Sequence, residues 1–257
     1  MSYINQDFED YYKEIYMDRW PILRESLLCP VKTIAFNDGL IKPYMMDRAS
    51  IIAAGSLRLP ESGIVLDACA APGGKSLVLT SRIAETVCLV SNEFSAERRR
   101  RLSRVLNEHL AEEKRAQIKI TGFDAARLGR KKEPCYDAII LDVPCSSERH
   151  VITDNKALSK WTSARPRFLC ARQWSLLSAA FLILNEGGSL VYSTCAISTA
   201  ENDNVVSRLL KKYSSQVVID EPDISNGEKT QYGRIILPDK CDGMGPMYIA
   251  RFKKAFS

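Results

Sequence analysis

Two short segments set a nucleophilic side chain at the end of an apparent strand. "LDVPCSSERH" (141–150) places Cys145 behind an acid and a proline, and "VYSTCAIS" (191–198) places Cys195 behind a serine and a threonine. A cysteine thiolate is accessible near neutral pH, so a thiol presented in this way suits covalent catalysis, which divides one hard step into two easier ones. A lone cysteine defaults to the role of a small packed hydrophobe. Two with the same strand-then-turn outline argue against that default. Cys29, Cys88, Cys135, Cys170 and Cys241 keep it, and are expected to be inert packed thiols. The closest cysteines are ten residues apart and only His109 and His150 could assist them, so the spacing argues against a metal site.

A second set of residues suits ligand binding. In "DACAAPGGKS" (67–76), Cys69, Ala70, Ala71, Pro72, Gly73 and Gly74 are small or tight-turning residues where the chain must approach a ligand closely, and Lys75 follows them. The pattern is neither G-x-G-x-x-G nor a phosphate-cradling Walker loop. Glu93 comes about 20 residues after the glycines, where an acid grips a ribose diol in nucleoside-binding sheets. Asp124 ends the next strand-like run and is placed to accept from an adenine amino group. Two such acids without a pyrophosphate loop fit S-adenosylmethionine better than NAD. Either acid alone could simply cap the segment that follows it.

The elements that must position these residues alternate. Strands are expected at 63–68 ("GIVLDA"), 86–93, 117–124, 136–143 and in "SLVYST" before Cys195, with two more near 216–220 and 247–252. Helices fall between them: one opens near Pro72, one is capped by Ser95, and one carries Cys170, Trp174, Leu177, Phe181 and Leu184 and is stopped by Gly187 and Gly188. Ser198 and Glu201 read as an S-x-x-E capping box for a further helix. Residues 1–57 look like a mostly helical extension, whose stripe of Phe8, Tyr12 and Ile15, with Tyr11, Tyr16 and Trp20 beside it, packs on a domain spanning 58–257. Alternation of this kind means a doubly wound, mostly parallel α/β sheet with ligands at the carboxyl ends of its strands. Cys145, Cys195, the 69–75 loop, Glu93 and Asp124 all lie there.

Composition places the chain among ordinary globular proteins, with 46% apolar and 26% charged residues and a net charge of +5. No apolar run reaches a membrane span. Asp7, Glu9, Asp10, Glu14 and Asp18 argue against an export signal or transit peptide, so a reducing, cytoplasmic setting is expected, or a mitochondrial one if a leader was removed. The basic residues cluster: Arg98–Arg101 with Arg104; Arg127, Arg130, Lys131 and Lys132; then Lys156, Lys160, Arg165, Arg167 and Arg172. One cluster would be a solvated face, whereas three suggest a polyanionic partner.

In this order, "LDACAAPGGKS", "DVPCSS" and "YSTCAIS…EN" resemble the Sun (NSUN) family of RNA cytosine-C5 methyltransferases. "SSERH", "RW" at 19–20 and "GRIILPD…GPMYIA" at 233–250 are similar to its mitochondrial and bacterial ribosomal RNA branch, and the likeness covers nearly the whole chain. The resemblance implies a Rossmann-like class I S-adenosylmethionine-dependent methyltransferase fold. It implies Cys195 as nucleophile at cytosine C6, Cys145 as the thiol assisting release, Asp142 at the N3 edge and Lys75 orienting Asp142. Cys69–Lys75, Glu93, Arg98, Asp124 and Asp142 would line the cofactor. The family's usual aspartate is Glu93 here, and there is no room for the separate RNA-binding domains that many members carry. The implied partner is RNA, ribosomal before transfer RNA, with a ribosomal subunit or partner protein as a possible aid to recognition, and no membrane. The rivals are a DNA cytosine-C5 methyltransferase using Cys145 as nucleophile, a non-catalytic RNA-binding assembly factor, and an NAD-dependent oxidoreductase.

Overall fold

A computed structural model describes residues 4–130 and 135–256; Lys131 and Lys132 of the second basic cluster lie outside the described residues. The chain begins with α1 (Gln6–Tyr16), α2 (Trp20–Leu28), a hairpin of β1 (Thr33–Phe36) and β2 (Tyr44–Asp47), and α3 (Arg48–Gly55). There follow β3 (Gly63–Asp67), α4 (Gly74–Arg82), β4 (Val87–Asn92), α5 (Ala96–His109), α6 (Glu112–Ala116), β5 (Ile118–Thr121) and β6 (Tyr136–Asp142). The remainder forms α7 (Glu148–Thr153), α8 (Asn155–Ser159), α9 (Ala164–Ile183), β7 (Leu184–Thr194) and α10 (Asp203–Lys212), then β8 (Val217–Ile219), β9 (Glu228–Lys229), β10 (Arg234–Ile236) and β11 (Met247–Lys254).

One sheet runs β5-β4-β3-β6-β7-β11-β10-β9, with β8 paired to β11. The pairs from β5 to β7 are parallel, and β11 joins β7 antiparallel. Successive residues face two separate cores: Leu66, Ile139, Leu141 and Tyr192 pack on one side, Val65, Ala138, Ile140 and Val191 on the other. Strands covered on both faces are near-continuously apolar, and "AIILDV" and "GIVLDA" are so for this reason. The order reverses at β3, whose neighbours β4 and β6 lead to opposite edges, so the crevice beyond β3 and β6 is where such a sheet binds ligands.

Local chemistry sets the helix starts. Asn5 accepts from Phe8 N (3.1 Å), Asp47 from Ala49 N (2.9 Å) and Ser95 from Arg98 N (3.4 Å), capping α1, α3 and α5. The expected aromatic stripe packs inward: Phe8, Tyr12 and Trp20 share the core cluster that holds Leu141 and Tyr192. Within the segment expected to be mostly helical, residues 33–47 form the β1–β2 hairpin.

Three expectations are corrected. Gly187 and Gly188 do not stop α9; it ends at Ile183, where Cys135 N binds Ile183 O (2.9 Å) and Tyr136 pairs with Leu184, drawing the chain straight into β7. Ser198 and Glu201 cap nothing, because partners distant in sequence take their side chains: Ser198 meets Tyr11, Glu201 meets Ser146 and Gln173, and α10 starts only at Asp203. Cys29 and Cys88 are exposed rather than packed, Cys88 beside the equally exposed Ile64 at the amino ends of β4 and β3.

Candidate active site

β6 and β7 are parallel neighbours with Asp142 opposite Ser193, so the chain leaving each strand enters the same space. The turn after β6 delivers Cys145 and the end of β7 delivers Cys195. Their sulfurs lie 2.8 Å apart, and both thiols are free; a disulfide would need about 2.05 Å. Ser147 completes the group, with Oγ 3.2 Å from the Cys195 sulfur. It holds a left-handed backbone (φ 54°, ψ 56°), a conformation that costs a non-glycine residue of order 1 kcal/mol and is found at sites where geometry is imposed from outside.

The two thiols are electrostatically unequal. The hydrogen bond between the two sulfurs lowers the Cys195 pKa; burial opposes this, and Ser147 and Lys75 add to the lowering. The same hydrogen bond, together with burial, pushes Cys145 well above the ordinary thiol value. This asymmetry favours Cys195 over Cys145 for the thiolate of the pair. Beside them, Lys75 Nζ sits 2.7 Å from Asp142 Oδ2 and 3.4 Å from Ser50 Oγ, while Ser193 Oγ donates to Asp142 Oδ1 (2.9 Å). Burial disfavours the Lys75 ammonium, but the adjacent Asp142 outweighs it and raises the Lys75 pKa.

The expected ligand loop lies across the ends of β3 and β4. Asn92, the last residue of β4, ties three strand ends together: its amide donates to Ala68 O (3.0 Å) and Phe123 O (3.1 Å), and its side-chain oxygen accepts from Phe123 N (3.0 Å). Ala70 N donates to Asn92 O (2.8 Å), and Arg98 Nη2 to Ala71 O (2.9 Å). Gly73 has φ +125°, and a Cβ there would meet Val105 at 3.0 Å; one on Gly74 would meet Tyr44 at 3.1 Å. The close approaches these glycines permit are thus to α5 and the hairpin. Glu93 is 4% exposed and accepts from Ser95 N (2.9 Å), but its Oε2 makes no hydrogen bond and only faces Arg98 Nη1 at 3.2 Å.

Two cavities flank Cys69. One of about 200 Å³ has Glu93, Phe94, Arg98, Pro144 and Leu176 in its walls; the other, about 190 Å³, has Ala71, Gly74, Lys75, Asp142, Ser50 and Tyr44. Asp124 is not among the walls of either. It lies three residues past β5, where Arg172 holds it at 2.6 Å and it accepts from Ala126 N (3.2 Å), and Arg172 itself lines the first cavity. A third, larger cavity of about 530 Å³ opens from Cys195, Ser147 and Ser50 toward His150, Val31 and Met247. Ser50 borders the second and third spaces, with Lys75 and Asp142 in the wall of the second and Cys195 in the wall of the third.

The sequence reading missed Ser50, Asn92, Ser147 and Ser193, and it read Glu201 as a cap. A hydroxyl or amide in a loop carries no local mark of its partner. Of the basic clusters, Arg100, Arg101, Arg104, Lys156, Lys160, Arg165 and Arg167 are exposed, with Phe168 at 78% exposure among the last of them. Among the described residues no helix is long and apolar enough to cross a membrane, and no cluster of side chains suits a metal ion.

The chain is similar to known proteins. The family model for 16S rRNA methyltransferase RsmB/F matches residues 54–253. The mouse 5-cytosine rRNA methyltransferase NSUN4 is 31% identical over 236 residues, covering 84% of this chain and 61% of the relative. The mouse mitochondrial tRNA (cytosine(34)-C(5))-methyltransferase is 32% identical over 229 residues, covering 85% and 66%. The ribosomal RNA small subunit methyltransferase F of Erwinia tasmaniensis is 31% identical over 223 residues, covering 83% and 45%. The chain thus spans less than two thirds of the length of these relatives. Among solved structures, a methyltransferase homolog protein from Pyrococcus horikoshii superposes with a TM-score of 0.77 at 19% identity, covering 98% of this chain and 96% of that one. NSun6 from the same organism, solved with SFG, gives 0.71 at 24% identity, covering 86% and 55%. At those identities the structural likeness carries the fold alone, and that fold is the Rossmann-like methyltransferase sheet expected from the motifs. By the family match over residues 54–253 and by these relatives, the chain belongs to the RsmB/F family of 16S rRNA methyltransferases.

Proposed function

We propose that the chain is an S-adenosylmethionine-dependent RNA methyltransferase that makes 5-methylcytosine, in ribosomal RNA before transfer RNA, through a covalent bond between Cys195 and the base. The observation that carries this reading is the thiol pair: one sulfur favoured as thiolate and a second, 2.8 Å away, holding its proton. The names of the relatives, two ribosomal RNA enzymes and one transfer RNA enzyme, support the substrate class. So do the exposed arginines and Phe168, since RNA readers combine basic grooves with stacking platforms. Eight free thiols suit a reducing compartment, cytoplasmic or mitochondrial.

The residues fit the cofactor. Glu93 Oε2, buried and without a hydrogen bond, wants the donors that a ribose diol offers, and Phe94, Pro144 and Leu176 give the same cavity apolar walls for a base. The cavity beyond Cys69, with Lys75 and Asp142 in its wall, takes the tail. S-adenosylmethionine, when bound, supplies a methyl group on a positively charged sulfur. In the substrate space the Cys195 thiolate bonds to cytosine C6, pushing the C5–C6 π electrons toward N3, where Asp142, fixed by Lys75 and Ser193, faces the ring edge. C5 is now electron-rich and would take the methyl, the sulfonium S–CH3 bond breaking to leave the neutral sulfide S-adenosylhomocysteine. Cys195, become a thioether, has lost its charge, so the largest influence raising Cys145 is gone; burial, Glu148 and Glu201 still favour the thiol, and Cys145 must pass its proton to water before it acts as the base. Its thiolate takes the C5 proton, the C5–H pair re-forms the double bond, and the C6–S bond breaks to return the Cys195 thiolate.

The test is an asymmetry. With S-adenosylmethionine and total ribosomal RNA, Cys145→Ala should accumulate a covalent protein–RNA species on a denaturing gel, because attack proceeds and release fails. Cys195→Ala should give neither product nor adduct. Transfer RNA and duplex DNA serve as parallel arms. An adduct formed by Cys195→Ala and lost in Cys145→Ala, with methylation of duplex DNA, would establish the DNA-type assignment instead.

A further inference from the structure

Two buried carboxylates stand beside the thiols, and the chemistry above uses neither. Glu148 and Glu201 are fully buried. Glu148 follows Cys145 in the chain, yet its Oε2 accepts from Ile197 N (3.2 Å) in the Cys195 turn. Glu201 follows Cys195, yet its Oε2 accepts from Ser146 N (3.0 Å) in the Cys145 turn and from Gln173 Nε2 (2.7 Å), while its Oε1 takes the Ser146 hydroxyl. Each thiol-bearing turn has its backbone tied to an acid supplied by the other. Gln173 closes the arrangement by donating also to Pro144 O (3.0 Å), the residue before Cys145.

A third element reaches the same point. Tyr12 of α1 donates to Glu148 Oε1 (2.5 Å), Tyr16 donates to Ile197 O (2.8 Å), and the Tyr11 hydroxyl meets Ser198 Oγ (2.9 Å). The aromatic stripe of the N-terminal helix thus packs with its rings and holds the Cys195 turn with its hydroxyls. Burial and the neighbouring Glu201 push Glu148 up to about 8, so placing two acids here opposes folding where apolar side chains would not. A polar network kept against that cost rigidifies what it joins when its members are satisfied. Between the two ties the backbone holds Ser147 in its left-handed conformation, facing the Cys195 sulfur.

We infer that Glu148 and Glu201 form a reciprocal clasp that sets the spacing of Cys145 and Cys195, locked from the N-terminal helix by Tyr12. The three are positioning residues: none touches a sulfur, and each acts through the backbone of a turn that carries one. The clasp rests on the proposed methyl-transfer reading for its catalytic consequence, and on geometry alone for the thiol spacing.

The spacing can be read without RNA or cofactor. Dibromobimane becomes fluorescent when two thiolates each displace one of its bromides, and peptide mapping locates the Cys145–Cys195 bridge. In Glu148→Gln, Glu201→Gln and Tyr12→Phe the bridging rate should fall about tenfold, the size of change that loss of one buried hydrogen bond gives. Each variant should remain folded, with a thermal midpoint lowered by only a few degrees, and the exposed Glu61→Gln should bridge normally. Glu201→Gln, which keeps an acceptor for Ser146 N, should retain more bridging than Glu201→Ala. Unchanged rates in all three variants overturn the clasp, as does an equal fall in Glu61→Gln. Failure of the methyl-transfer reading would appear separately, in the RNA adduct assay.

Discussion

Glu93→Gln removes a charge from the cavity proposed for the cofactor while leaving its shape, and the structure sets the size of the effect. The amide oxygen can still accept from Ser95 N, so the turn after β4 should persist. What is lost is the carboxylate oxygen that ends without a hydrogen bond in a side chain only 4% exposed. A buried hydrogen bond to a charged acceptor contributes about 1.5–3 kcal/mol. Against this, Arg98 now faces Glu93 at 3.2 Å with its side chain 51% exposed, and such a half-exposed pair is worth about 0–1 kcal/mol. Removing the charge frees Arg98 and returns part of that to binding. The net loss is about 1–3 kcal/mol, or about five- to 150-fold in Kd. Titration calorimetry with S-adenosylmethionine and S-adenosylhomocysteine reads this directly, with the thermal midpoint as control for folding. An unchanged Kd, or preferential binding of NAD, refutes the assignment of Glu93 to the ribose.

Lys75→Met should raise the pH midpoint for alkylation of Cys195 by iodoacetamide, because Lys75 favours the thiolate and Asp142, left unpaired, opposes it; a midpoint that stays or falls contradicts the site electrostatics. Asp67 is wholly buried and burial pushes it up to about 7, so its contribution to stability is full below the unfolded carboxylate value near 4 and is lost as pH rises toward 7. Denaturant titrations should therefore show Asp67→Asn gaining on the unaltered protein between those limits by up to about 1.4 kcal/mol per pH unit, and a pH-independent difference would count against it. Gly73→Ala must hold a side chain at φ +125° with its Cβ 3.0 Å from Val105, and should cost about 1–3 kcal/mol, read as a lowered thermal midpoint; an unchanged midpoint would show the loop to be free to rearrange.

Parts of this protein were legible in the sequence because they are local. Apolar β-formers that must be covered on both faces announce β3, β4 and β6. Cys145 and Cys195 stand out as candidates by following two such runs, and Glu93 by its distance from the glycine loop. Ser95 could be read as a cap because its partner, Arg98 N, is three residues away. Ser198 and Glu201 have the same capping spacing and misled, since tertiary partners outbid the local amide: Tyr11 is 187 positions from Ser198, and Ser146 is 55 from Glu201. The glycines at 187 and 188 misled for the same reason, because β6 pairing decided where α9 ended.

By itself the amino-acid sequence determined the alternation of elements, the carboxyl-end placement of the candidate residues and the family resemblance, all of which depend on residue types and their spacing along the chain. Only the tertiary structure decided that the two thiols lie 2.8 Å apart with opposite proton affinities. It alone placed Asp124 against Arg172 and outside the cavity walls, and brought a tyrosine of the first helix to an acid 136 residues away. A pKa and a hydrogen bond belong to pairs of groups and to the burial around them. Burial and pairing across the sheet exist only once β6 and β7 lie side by side.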